Sequence, residues 1–334
     1  MGARRGNSRF IPSPLLAQAK ARSYLSSPRR EKGGGKGSMS FELIVSAFIM
    51  GLLLGGLYAA VSIGLSLIFG IIRVINFAHG AFLMVAMYAS FWLWYFFQMD
   101  PYLSIIVVTP LFFVFGYTVQ QLLIRPMFVR ERALVVEPLG VLLLTAGLDL
   151  VLSNLALLCF KSDYRAVVSP MASTTIPLGF IDLNLPRFIL FLLSFIIAGV
   201  LYWLLNYTEM GVAIRSVGQN REAAALCGVN VYKIYSLTFG LGTAALALAG
   251  AVMVPFYYVS PSMGLSLGVK SFIVVVLGGL GSVPGALIGG LILGVVESVT
   301  AQFVTATSSV IFSFLLFIIV LFTRPKGIMG VLET

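Results

Sequence analysis

An all-α, polytopic transmembrane helix bundle is the fold this sequence predicts, and three observations predict it. Hydrophobic residues make up 59% of the 334 and charged residues only 10%, where a soluble domain carries about 25% charge. Mean hydropathy is +1.01. Apolar runs recur along the chain, each near the ~20 residues needed to cross a bilayer. Outside the N-terminal stretch, Lys and Arg gather in the connections between those runs, the pattern that sets orientation in a membrane.

Residues 1–40 read as a disordered basic tail. Residues 1–38 carry nine Lys/Arg against the single acid Glu31 and end in Gly33-Gly34-Gly35-Lys36-Gly37-Ser38. Such a stretch has too little apolar surface to offset the entropy of ordering it. Arg and Ser with one acid suit a transit peptide; the alternative is upstream or non-native sequence ahead of a start at Met39. A phosphate-loop reading fails, because Gly37 stands where Ser or Thr is required and no strand precedes it. The net charge of +10 belongs almost wholly to this tail. The body from 41 to 330 is nearly neutral, so no nucleic-acid partner is expected.

Spans are predicted at about 41–72, 78–97, 103–124, 137–158, 187–206, 236–258, 265–281, 283–303 and 307–323. The first is too long for one straight helix and is expected to tilt or break at Gly55-Gly56, so the count is eight to ten, with broken or re-entrant segments. Arg125, Arg130 and Arg132, then Arg215, Arg221 and Lys233, then Arg324 and Lys326 all fall on one side by alternation. That side is the cytoplasm. The 159–186 loop, with Lys161 and Arg165, then faces outward. Nine spans with a cytoplasmic C-terminus place the basic tail outside, so either the first stretch crosses twice, or a later segment is re-entrant, or the tail is not native. Cys159 and Cys227 fall at opposite faces, and no disulfide or metal framework is expected from them.

Three polar interruptions carry the candidate chemistry. Arg73-Val-Ile-Asn-Phe-Ala-His-Gly80 breaks hydrophobic sequence with Asn76, Phe77, the only histidine, His79, and Gly80. Asn76 can cap the helix that follows, and a half-helix start inside a membrane offers free N–H groups to an anion such as a carboxylate. The structural alternative is a plain cap, with His79 serving a neighbouring carbonyl. Glu209 to Val231 is rich in helix formers and predicts a short helix across the membrane surface, stopped by Gly228 in a left-handed cap. Gly281, Gly285 and Gly289 recur every four residues, a stripe for close helix packing, and Pro284 after Ser282 marks a break between segments.

Two further readings compete. Gly264-Leu-Ser-Leu-Gly268 matches a nucleophile-elbow pattern, so an intramembrane hydrolase would use Ser266 with His79; it requires a strained strand–turn–helix. Asp149, Lys270 and Glu297 lie in or near spans, where ionisable residues are functional suspects. They would serve an ion-coupled secondary transporter, or else pair between helices.

Taken together, the segments resemble the LivH-type permease of branched-chain amino acid ABC transporters, a type II importer. Three blocks carry the resemblance: Gly55 to Gly70 running into Ile75-Asn-Phe-Ala-His-Gly80; Met210 to Ala224 with Gly228-Val-Asn-Val231; and Lys270 to Gly294 with Arg324-Pro-Lys-Gly327. It covers residues 41–330. Glu222-Ala223-Ala224, three residues and Gly228 are similar to the EAA loop by which such permeases dock onto their ATPases.

The resemblance implies a cytoplasmic coupling loop at 207–235, with Gly211 and Arg215 leading into Glu222, Ala223, Ala224 and Gly228. It also implies a translocation path near Asn76, Phe77, His79 and Gly80. The implied partners are a second homologous permease, two cytoplasmic ATP-binding subunits and a periplasmic or lipid-anchored amino-acid-binding protein. No cofactor, metal or catalytic residue is implied on this chain, since ATP would be bound by the partner subunits; the implied place is the bacterial cytoplasmic membrane. The Leu-Pro that closes the motif in many permeases is absent after Ile234.

Overall fold

The structure is a computed structural model that describes residues 36–131, 139–167, 174–177, 182–304 and 306–330. The expectation for the tail falls almost wholly on residues 1–35, outside those described. The helices are α1 (Lys36–Ile72), α2 (His79–Phe97), α3 (Pro101–Val119), α4 (Arg125–Glu131), α5 (Leu139–Phe160), α6 (Leu185–Tyr207), α7 (Glu209–Gln219), α8 (Arg221–Leu226), α9 (Val231–Met253), α10 (Met263–Gly278), α11 (Val283–Phe303) and α12 (Ala306–Thr323). A π-helical turn at Gln120–Ile124 joins α3 to α4. The only strands among the described residues, β1 (Thr175–Pro177) and β2 (Asp182–Asn184), form an antiparallel hairpin.

Among the described residues, seven helices are long and apolar enough to cross a membrane, and α10 and α12 are shorter apolar helices. Of the tilt or break expected at Gly55-Gly56, the break is overturned, and so is a double crossing: α1 runs unbroken through both glycines. The glycines serve packing instead. A Cβ on Gly55 would lie 2.6 Å from Leu291 Cα, and one on Gly56 would lie 2.7 Å from Phe191 Cα. Backbone-to-backbone contact with α11 and α6 is what these positions need, and an α-helix accommodates glycine where flanking packing holds it.

The starts of α3, α6 and α11 have a local cause. Asp100 caps α3, accepting from Tyr102 N–H at 2.9 Å, with Pro101 at the first helical position. Asn184 and Pro186 do the same for α6, and Ser282 with Pro284 for α11. In each case the side-chain oxygen satisfies an N–H that the helix cannot, and proline sits where no N–H is required.

Helix α9, rich in Gly, Ala, Ser and Thr, is enclosed nearly all round; α5 and α6 are covered along one stripe only. α9 lies against α3, where Thr243 Oγ1 donates to Phe112 O at 3.0 Å, and against α1, where Gly242 meets Gly64. α11 runs antiparallel to α1: Gly290 faces Ala59 and Ser298 Oγ donates to Ala47 O at 2.8 Å.

The two ends differ in chemistry. At one end the Arg73 guanidinium donates to Gly218 O at 3.1 Å, Arg125 lies 5.2 Å from the centre of the Tyr232 ring, and Ile328 N–H donates to Leu277 O. The ends of α1 and α10, the start of α9, the α7–α8 segment and the chain after α12 therefore meet where Arg and Lys concentrate, the end that the charge rule assigns to the cytoplasm. At the opposite end Arg165 exchanges backbone hydrogen bonds with Val259. Its guanidinium stacks over Phe91, Trp92 and Phe160 at 5.3–5.9 Å. Aromatic and Arg side chains of this kind suit the membrane–water boundary.

Candidate functional site

Between α1 and α2 the chain is not helical. Helix α1 ends with Arg73 in the left-handed region (φ 57°), its N–H closing on Phe69 O. Residues 74–78 then double back beside the helix they have just left. His79 Nε2 donates to Val61 O at 2.9 Å, and Val61 lies about three turns, roughly 16 Å, before the end of α1. Helix α2 therefore starts within the bundle and not at its surface. Asn76 does not cap it directly, as the sequence suggested. Ala78 occupies the cap position without a side-chain bond, and Asn76 Oδ1 accepts from Ala78 N–H at 3.1 Å in a turn one step earlier. From α5, Thr145 Oγ1 accepts from Phe77 N–H at 3.3 Å and holds the stretch in place.

Gly80, Gly264 and Gly268 let α2 and α10 cross in backbone contact. A Cβ on Gly264 would lie 2.7 Å from Gly80 O, and one on Gly268 3.2 Å from Gly80 Cα. Beside this crossing opens a cavity of about 380 Å³, lined on its polar side by Asn76, His79 and Asp149. Its apolar lining includes Leu65, Leu265, Val269 and Phe272. Asn76 and His79 are buried, yet Asn76 Nδ2 and His79 Nδ1 have no hydrogen-bond partner among the described residues. Asp149 is half-buried halfway along the 22-residue α5 and forms no ion pair among the described residues.

The other two charged suspects are elsewhere and satisfy each other. Lys270 Nζ on α10 lies 2.7 Å from Glu297 Oε1 on α11 and donates to Tyr58 Oη at 2.6 Å; the Tyr58 hydroxyl donates to Glu297 Oε2 at 2.9 Å. This closed triangle across α1, α10 and α11 leaves no uncompensated charge.

At the Arg- and Lys-rich end the predicted single helix is two, α7 and α8, meeting at an elbow. Asn220 ends α7 and caps α8, its Oδ1 accepting from Glu222 and Ala223 N–H at 3.0 Å. Cys227 closes α8 and Gly228 follows at φ 87°. Gly228 N–H donates to Ala225 O and Val229 N–H to Ala224 O, both at 3.0 Å, the paired bonds of a Schellman cap. Ala224 is buried, Glu222 and Ala223 are exposed, and Leu226 is 90% exposed. α8 is thus clamped at both ends and presents a bare leucine. Thr208 caps α7 by accepting from Gly211 N–H at 3.0 Å, and Arg215 donates to Asn206 Oδ1 at 2.9 Å. A side chain at Gly211 would collide with the Leu204 and Leu205 carbonyls, so only glycine allows the corner from α6 to α7.

The family described as branched-chain amino acid transport system, permease component, matches residues 47–321. The chain belongs to this family. It is 30% identical to the high-affinity branched-chain amino acid transport permease LivH of Salmonella typhimurium, over 88% of this chain and 97% of that one. It is also 30% identical to the permease BraD of Pseudomonas aeruginosa, over 84% and 94%. A probable LivH of Methanocaldococcus jannaschii is 28% identical over 82% and 89%. No solved structure matches.

The permease thus brings Asn76, Phe77 and His79 together in one cavity wall, with Phe77 half-exposed. Gly285 packs on Gly278, and Gly289 on Val274 and Gly278, within the α10–α11 contact. Gly281 precedes α11, in a turn at φ 86° against Gly70. The Gly-x-Ser-x-Gly stretch lies wholly inside α10, with Ser266 Oγ bonded to Met263 O one turn back. The strained turn that a nucleophile needs is absent there. Sequence reasoning named Asp149 without placing it in the cavity, and passed over Gly264 and Gly268 as packing residues. Their four-residue spacing is the signal that it used for Gly281, Gly285 and Gly289.

Proposed function

We propose that this permease is the membrane-spanning half-channel of an ATP-driven importer for branched-chain or other small amino acids, in a bacterial cytoplasmic membrane. It works with a second homologous permease, two cytoplasmic ATP-binding subunits and an external amino-acid-binding protein. ATP is bound by those subunits and not by this chain. The cavity between α2, α5 and α10 lies on the translocation path, and α8 seats in the ATPase.

The observation that carries this reading is the half-buried Asp149 carboxylate midway along a membrane helix, without an ion-pair partner among the described residues. A carboxylate facing lipid at that depth is costly, so this face meets another protein or an aqueous path. Leu150, Leu265 and Val269 stand exposed around it, an apolar rim suited to a sister permease. The names of the relatives support the substrate class. The rigid α8 with its exposed Leu226 supports docking, because a force applied to a capped helix is carried into the spans as a unit.

The test is affinity purification of the tagged permease from its own membranes, followed by uptake in proteoliposomes. Two ATPase chains and a sister permease should co-purify, uptake should require ATP, and Leu226→Asp should lose the ATPases while retaining the sister permease. A homo-oligomer that moves leucine on an ion gradient alone would overturn the reading.

A further inference from the structure

We propose that the cavity reads the zwitterionic head group of the passing amino acid, with Asp149 taking the ammonium and Asn76 the carboxylate. The inference rests on the importer reading and adds to it the polar contacts made inside the permease.

Asn76 Oδ1 is spent on Ala78 N–H, which fixes the orientation of the amide and leaves Nδ2, a donor, unserved. His79 Nε2 faces a carbonyl, which can only accept. The ring proton is therefore on Nε2, and Nδ1 of the neutral imidazole is an unserved acceptor. Asp149 adds a carboxylate, an acceptor with full charge. Three side chains lining one cavity thus carry two acceptors, one of them anionic, and one donor, beside walls of Leu65, Leu265, Val269 and Phe272.

An α-amino acid with an apolar side chain is the complement of that set. Its ammonium supplies donors to Asp149 and His79, its carboxylate accepts from Asn76, and its side chain meets the apolar wall. A Lys or Arg reaching in from a neighbouring chain would answer Asp149 but offers donors alone, so Asn76 Nδ2 would stay unserved. Buried polar groups left unserved are costly, and the zwitterion serves all three. The volume of about 380 Å³ falls in the usual range for small-molecule sites.

Occupancy is testable without relying on the selectivity of the external binding protein. In the assembled transporter with Cys159 and Cys227 replaced by serine, Ala146→Cys places a thiol on the cavity wall. Its reaction rate with a methanethiosulfonate reagent would be followed with leucine, isocaproate (leucine without its amine) or isoamylamine (leucine without its carboxylate). Leucine should slow the reaction most. Adding Asp149→Asn should weaken that protection about ten- to a hundredfold in leucine concentration, the scale of a lost hydrogen bond to a charge. Equal protection by all three compounds, or none by leucine, would overturn the proposal. Loss of the sister permease from the Asp149→Asn assembly would also overturn it, by showing that a partner cation occupies the site. A transporter whose unsubstituted form co-purifies with no ATPase and needs no ATP refutes the importer reading instead, and uptake measured in parallel separates the two failures.

Discussion

Gly228 shows how much one residue can decide without touching anything. No heavy atom stands within 4 Å of where its Cβ would be, so its requirement is conformational and not steric crowding. At φ 87° an L-residue with a branched side chain loses about 1–2 kcal/mol, and both bonds of the cap that closes α8 depend on that angle. Gly228→Val should therefore lower ATPase co-purification and uptake per ATP while membrane insertion stays intact. Gly228→Asn, which tolerates the left-handed region, should retain most of both. Normal transport by the valine variant would count against the docking role of α8. The Lys270–Glu297–Tyr58 triangle poses the opposite case, where everything depends on contact. Lys270→Met leaves Glu297 charged and enclosed, and should cost about 3–5 kcal/mol; pairing it with Glu297→Leu should recover most of the loss. Thermal unfolding in detergent of the two variants checks this, and equal destabilisation of single and double variants would argue that the lysine stem, and not the pair, is what matters.

At the scale of elements, the link between α7 and α1 joins the two functional regions. The Arg73 guanidinium holds Gly218 O at the end of α7, and Gly218 itself packs on Ile71. Three residues after Arg73 comes Asn76 in the cavity wall. A displacement of the α7–α8 elbow would thus reach the cavity through the Arg73–Gly218 contact and a short extended stretch that has no helix to absorb it. Arg73→Ala should lower uptake per ATP hydrolysed about tenfold, on the scale of a hydrogen bond to a charged group, with Arg73→Lys intermediate. A ratio unchanged in the alanine variant would remove Arg73 from the coupling route. Sequence reasoning reached both ends of this route, because they are local: the Asn and His interrupt an apolar run, and the glycine stop follows a run of helix formers. It missed the link, since nothing in residues 73 and 218 separately announces that they meet. It also left α1 open between a tilt and a break. Gly55-Gly56 carries the same signal for a hinge as for close packing, and only the partner helices α6 and α11 decide which. The split at Asn220 was readable in principle, as Asn ahead of Glu222 and Ala223 has the chemistry of a cap, but helix propensity on both sides concealed it.

Across the whole molecule, the bundle is held by glycine seams where soluble proteins would use a hydrophobic core. Lipid tails are as apolar as leucine, so burying leucine gains little in a membrane, and close backbone approach contributes what burial cannot. α1 is the shared partner in most seams: Gly51 and Gly55 meet α11, Gly56 meets α6, Gly64 meets α9, and Gly70 meets the turn at Gly281. A further seam, of α2 with α10, is the glycine crossing that forms the cavity wall. A seam and a site are thus the same feature there, which explains why a packing signal in the sequence sat beside the polar residues. This arrangement predicts sharply different costs for one substitution. At Gly290 a Cβ would lie 2.5 Å from Ala59 N and 2.7 Å from Ala59 Cα, so Gly290→Val must push α1 and α11 apart at a cost of about 1–3 kcal/mol or more. At Gly199, on the exposed face of α6, nothing lies within 4 Å, and Gly199→Val should change stability by no more than about 0.5 kcal/mol. Size-exclusion profiles and melting temperatures of the two purified variants would separate them. Gly290→Val should aggregate or melt earlier, and Gly199→Val should match the parent. If both behave alike, backbone contact along α1 is not what holds the permease together, and the unbroken course of α1 through its glycines must have another cause.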